Sequence, residues 1–316
     1  MSLKEKAMLV SLKISIPSNS KKDKQATEEV TQSRNAQDGS YTTSKKVFMK
    51  EDIKAAQQVR TRARQYFDSN TLPWTDRSQR LLPSAKFIDF VKEIDKFKDE
   101  MEDVKADFIA NITRIEANSA SFLGDGFDTK DIPSIQDLNQ TFTIDFQADP
   151  FPDVQDFRCE LSEYEKARLA AMHKDAEQKK RESAMQDMWT KLYEPLKTLA
   201  DRLDDPDTKR YCGSLITNVM KMTDLLPQLN VFDDDNLNDM CQEIRDQLAD
   251  VDIKDIKKDD MAKKDLVRSS NEIMDRMAGF MKNTDLIAID TPAPQEEPEL
   301  QDEPEFQEEP EYQEAA

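Results

Sequence analysis

Glycine is the scarcest common residue here, with five in 316. Tight turns, phosphate-cradling loops and dinucleotide fingerprints all require it. Its shortage excludes a Gly-rich nucleotide loop and disfavours an α/β fold with many reversals. Histidine occurs once, at His173, so paired-histidine metal sites cannot form. Cys159, Cys212 and Cys241 are odd in number and sit at neither disulfide-framework nor metal-finger spacing. They read as reduced, buried thiols. No apolar run approaches the length of a bilayer crossing, and MSLKEKAMLV lacks the apolar stretch of a secretory signal. These absences predict no membrane association and a cytoplasmic setting. They leave no catalytic signature, metal or cofactor, so a non-enzymatic protein is expected.

What is abundant is charge, 35% of residues, and straight-chain helix formers, Met among them. The expected fold is mainly α: long helices in an elongated hairpin or bundle, a small β-sheet and a disordered acidic C-terminal tail. The net charge of −20 is divided unevenly along the chain. Residues 1–90 carry +7 and residues 91–316 carry −27.

Four segments follow. Residues 1–48 begin with a strand, Val10, Leu12, Ile14 and Ile16 alternating with polar residues. The polar stretch after it reads as a mobile basic arm. Residues 49–165 hold a helix from about Lys50 to Asp68, then the clearest periodicity in the chain. Apolar residues recur at Phe90, Ile94, Phe97, Met101, Val104, Phe108, Ile112 and Ile115, in steps of four and three. Gly124 is the expected stop, and the rod would be on the order of 60 Å long. Its aromatic seam favours packing within the chain over a regular coiled coil between chains. Ser134 caps a short helix, and two alternating runs, 142–146 and 157–161, complete a three-stranded sheet with the first strand. Residues 166–290 read as a helical bundle. A second long helix opens at Ser162–Glu165 and should break or kink at Pro195. Shorter helices follow near 207–224, 236–249 and 259–282. Residues 291–316 contain ten acids and no base, and should not fold alone.

VFDDDNLNDM, 231–240, looks superficially like a calcium loop. Counting from Asp233, the positions that require Gly and Glu hold Asn238 and Ile244, so the register fails.

Two stretches suggest binding. VRTRARQYFDSNTLPWTDRSQR interleaves Arg60, Arg62, Arg64, Arg77 and Arg80 with Tyr66, Phe67 and Trp74. Guanidinium groups for phosphates and flat rings for bases are what single-stranded DNA asks for. The expected nucleic-acid set is therefore Arg60, Arg62, Arg64, Tyr66, Trp74, Arg77 and Arg80. The competing reading makes Phe67 and Trp74 core anchors beneath an exposed arginine face. The other stretch is the hexad repeat QEEPEL, QDEPEF, QEEPEY, in which Leu300, Phe306 and Tyr312 each end an acidic phrase. Proline at every sixth position blocks helix and sheet, and solubility alone needs no regularly spaced large hydrophobe. Three weak hooks raise avidity for a partner protein with a basic groove.

At TLPWTDRSQRLLP, followed by the long rod and then PFPDVQDFRCELS, the chain resembles a family of uncharacterised tailed-bacteriophage proteins over roughly residues 50–165. That likeness implies a helical, phage-encoded protein working in the host cytoplasm, and it transfers no catalytic residue. The expected role is a phage accessory or adaptor protein in DNA replication or transcription, monomeric or a small homo-oligomer. Alternatives are a single-stranded-DNA-binding protein and a structural virion component.

Overall fold

Strand β1 (Ala7–Ser15) is covered on both faces along its first half, which decides how the chain is arranged around it. The computed structural model describes residues 3–75, 79–151, 163–204, 213–249, 251 and 260–282. The acidic hexads, with Leu300, Phe306 and Tyr312, lie outside the described residues, as do Arg77 and the expected strand at 157–161. The described part is mainly helical with a small antiparallel sheet.

The elements in chain order begin with a single helical turn, α1 (Leu3–Lys6), and β1. Next come β2 (Ser20–Asp23), α2 (Lys24–Ser33), β3 (Thr43–Lys46), α3 (Lys50–Ser69), β4 (Leu72–Pro73) and β5 (Arg80–Pro83). The long stripe forms α4 (Phe87–Ala110) and α5 (Ile112–Leu123), followed by α6 (Ile135–Thr141) and β6 (Thr143–Asp149). The remaining helices are α7 (Glu163–Asp204), α8 (Gly213–Leu229), α9 (Asp235–Ala249) and α10 (Asp260–Lys282).

The sheet has four strands in the order β4-β5-β1-β6, not the expected three. β4 and β5 are short strands within what reads, in sequence, as the exit from a helix. Leu82 pairs with Met8, and Leu12 with Phe146. Val10, Leu12, Leu82 and Ile144 face a core shared with Ile53, Val59 and Phe67 of α3 and Phe90, Ile94, Met101 and Phe108 of α4. On the opposite face Leu9, in register with Leu81, is equally buried. There β4 meets α7 and β5 meets α8. Val10–Ile16 alone suggests a half-buried strand; Ala7 and Leu9 lie outside that run and carry the second buried face.

The apolar stripe closes within the chain, on α3 and β6. Among the described residues α7 packs chiefly on α8, α10 and β4. The stripe is interrupted at Asn111, whose backbone leaves helical geometry (φ −100, ψ 11) while its amide donates to the Asp107 carbonyl at 2.8 Å. A side chain competing for that carbonyl weakens helix at this point. Gly124 stops α5 with φ 55, and Ser134 and Asp137 form a reciprocal capping box on α6.

Two other expectations differ. α7 runs through Pro195 without ending. A mid-helix proline costs about 3 kcal/mol, but Leu192, Leu196, Leu199 and Leu203 stay buried across it. Each fully buried aliphatic side chain contributes about 1.5–3 kcal/mol, which outweighs the lost bond. The polar stretch 18–48 also builds a β2–β3 hairpin around α2 rather than an unstructured arm. Asp23 caps α2 at Ala26, Thr27 meets Thr43 hydroxyl to hydroxyl at 2.7 Å, and the Phe48 amide donates to Asn19 Oδ1 at 2.6 Å. Val47 and Phe48 then anchor the segment in the core.

Phe90 touches Tyr66, Phe67 and Phe146 and is 1% exposed. Phe90→Ala should therefore destabilise the chain by about 3–5 kcal/mol in urea unfolding. The same change at Ile88, 68% exposed on the same helix, should be nearly silent.

Candidate functional site

The arginine- and aromatic-rich segment does not present one surface. Val59, Ala63 and Phe67 are the buried face of α3, and a helix turns about 100° per residue. Arg60 and Arg62 consequently point outward, and Arg62 pairs with Glu100 of α4. Arg64 is half-buried: its Nη2 donates to the Leu12 carbonyl at 3.0 Å, and its guanidinium lies 5.9 Å from the Phe67 ring centre. Tyr66 packs on Phe90 and Phe97, with ring centres 5.3 and 5.9 Å away. Burial first, then Glu93 and Asp89, raise its hydroxyl above the ordinary 10.0. Trp74 is 4% exposed, edge-on to Phe151, with the Lys180 ammonium 5.8 Å from its ring centre. Tyr66, Trp74 and Arg80 are thus engaged inside the fold, Arg64 is tied to the β1 backbone by one bond, and Arg77 lies outside the described residues.

Arg80 belongs to a junction at the C-terminus of α3. Helix ends carry unpaired carbonyls and a partial negative charge, so cations gather there. Arg80 donates from Nε to Thr71 Oγ1 at 2.6 Å, and from Nη2 to the Asp68 and Thr71 carbonyls at 3.1 and 2.9 Å. Thr71 Oγ1 in turn donates to the Phe67 carbonyl at 2.6 Å. Lys191 of α7 donates to the Thr71 carbonyl at 3.0 Å and pairs with Asp187. Lys86 reaches Asn70 Oδ1 at 3.3 Å, while Asn70 Nδ2 donates to the Tyr66 carbonyl at 2.9 Å. Burial lowers the pKa values of Arg80, Lys86 and Lys191, with Asp187 opposing the shift at Lys191. These groups bind and position backbone.

A second cluster escapes sequence reasoning. Lys21 and Lys45, opposite one another on the β2–β3 hairpin, both grip Asp131, at 3.0 and 2.5 Å. Their ammonium groups also donate to the Lys130 and Gly126 carbonyls, at 3.0 and 2.6 Å. Asp131 is held below its ordinary 3.8: burial pushes it up, but the bonds from Lys45 and Lys21 prevail. Separations of 110 and 86 residues leave no local pattern by which this clamp is recognised. Lys191 and Asp187 do show helical i,i+4 spacing, a signal common to countless surface pairs.

Cys241 is buried, its thiol pushed up to about 12 by desolvation, which makes it a poor nucleophile. Cys159 and Cys212 lie outside the described residues. His173 is exposed on α7. Among the described residues no helix is long and apolar enough to cross a membrane. Comparison with family models, curated proteins and solved structures gives no match for this chain.

Arg80→Ala should cost about 1.5–3 kcal/mol of unfolding free energy, the range for bonds to a charged donor. Arg80→Lys should recover only part, because an ammonium cannot reproduce the fork. A fully restored Lys variant would refute the geometric role. Asp131 gives a pH test. Its contribution is present above the unfolded value near 3.8 and is lost as pH falls through the lower folded value. Asp131→Asn should therefore be less stable than the parent near neutrality, and the gap in denaturant midpoint should close below that window. A gap that persists unchanged into acid would contradict it.

Proposed function

We propose that this chain is a non-enzymatic adaptor whose acidic hexads recruit a phage or host protein bearing a basic groove. The regular placement of Leu300, Phe306 and Tyr312, one per acidic phrase, carries this reading. Charge brings the two surfaces together, and the hydrophobes supply what solvation of an acidic segment does not require. Three copies multiply a weak contact through effective concentration. The long helices α4 and α7 serve as framework for the recruiting segment. The resemblance at 71–83 and 150–162 supports a phage setting, in DNA replication or transcription within the host cytoplasm.

The engagement of Tyr66, Trp74 and Arg80 in internal contacts ranks a single-stranded-DNA-binding protein second. A base stacked on Trp74 would have to displace packed neighbours. Arg60 and Arg62 remain outward-facing, but Arg62 is paired with Glu100, and Phe67 and Trp74 are buried.

The test replaces Leu300, Phe306 and Tyr312 together with Ala and leaves every acid in place. Affinity capture from host lysate, quantified by mass spectrometry, should yield a basic protein with the parent chain and lose it by at least about tenfold with the triple variant. Each single replacement should have a smaller effect, as multivalency requires. Equal capture by parent and triple variant would sink the adaptor reading. Parallel titration of single-stranded DNA should show little binding near physiological salt; a steep negative salt slope would move the DNA-binding reading to first place.

A further inference from the structure

A cleft of about 830 Å³ opens where β1 and β6 meet the flanks of α3 and α4. We infer that it binds the phosphate group of a nucleotide-sized ligand. Its volume falls in the usual range for small-molecule sites, roughly 300–1,000 Å³. Its lining includes three cations, Lys13, Arg64 and Lys98, against one carboxylate, Asp145.

The cations come from three separate elements, so their convergence is a property of the fold rather than of one charged run. Arg64 is the pre-organised member. Its bond to the Leu12 carbonyl uses one N–H and fixes the planar fork, leaving further donors for a ligand. Lys98 is steadied by Asp95 one helical turn away, at 2.9 Å, with 39% of its side chain still exposed. Lys13 lies at the rim: it is exposed on the strand face that alternates away from Leu12, in register with Asp145 across the β1–β6 ladder, and adds only distant positive charge. Phe146, half-buried against Phe90, supplies an apolar wall at the same opening. A tetrahedral anion accepts from the Arg64 guanidinium and the Lys98 ammonium together, and the wall suits a flat ring attached to it. Phosphate of this kind comes either from a free nucleotide or from a polynucleotide backbone.

Calorimetric titration of the full chain with adenosine monophosphate, with inorganic phosphate and with a short oligothymidylate tests the site. Adenosine monophosphate should bind saturably, inorganic phosphate more weakly, and both less well as salt rises. Lys98→Glu, a change that spares the core, should weaken binding by about tenfold or more, and Lys13→Glu, at the rim, by less. Lys54→Glu, on the outer face of α3, should leave it unchanged. Affinity independent of oligonucleotide length identifies a free-nucleotide site. Affinity that grows with length but keeps its dependence on Lys98 identifies a backbone site. Absence of saturable binding by all three probes to a chain of native circular dichroism overturns the inference, as does binding that survives Lys98→Glu.

Discussion

Thr71 is where the two halves of this protein are tied together. Its hydroxyl closes the last turn of α3, and its carbonyl accepts from Arg80 of β5 and Lys191 of α7. One residue therefore couples the helix carrying the main core, the strand beside β1 and the longest helix of the C-terminal part. The Thr71 carbonyl lies just past the α3 C-cap, Asn70, beside the helix's unpaired terminal carbonyls, where the aligned peptide dipoles favour cations. Burying two cations beside it would be unfavourable without compensation. Asp68 and Asp187 provide part of that compensation, and the carbonyls the rest.

The same constraint explains what the first 90 residues do with their positive charge. Composition treats every Lys and Arg alike, yet Arg64 and Arg80 cap backbone, Lys21 and Lys45 hold Asp131, and Lys191 adds a further cation from the acidic half. Lys22, Lys46, Lys50, Lys54 and Arg60 remain exposed. An excess of +7 thus overstates the surface on offer to any polyanion. The difference between a cation that binds a partner and one that binds a carbonyl lies in tertiary neighbours, which spacing along the chain does not encode.

Periodicity made the helices legible. The stripe from Phe90 to Ile115 was readable because each of its residues obeys one spacing, and all are buried or half-buried. The strand at β1 and the Ser134 cap were readable for similar local reasons. β4 and β5 were not: two- and four-residue strands carry too few alternations to separate from a turn, and their pairing with β1 is decided at long range. Stretch 18–48 was misread because its stability comes from Asp23, Asn19, Thr27 and the Asp131 clamp, polar contacts that look in sequence like solvation. Of the candidate site, Arg64 was legible, whereas Lys13 and Lys98 join it only through the fold.

Scarcity of glycine then becomes a statement about how this chain turns. Left-handed backbone is needed at four described positions, and only Gly39 and Gly124 meet it with glycine. Asn35 and Asp233 adopt φ of 48 and 56 instead, the residue types that tolerate that region best. At the second of these, Asn230 accepts from the Asp234 amide at 3.0 Å and donates to the Asp234 carbonyl at 2.9 Å, while Asp233 reaches Lys6. The acidic run that imitates a calcium loop is in this way a glycine-free corner, closed by side-chain amides and an ion pair. A chain that turns on side chains rather than on glycine surrenders fewer unfolded conformations when it folds. It also makes each corner depend on a particular polar partner, so polar residues at 19, 23, 71, 131 and 230 bear on stability as directly as the apolar core.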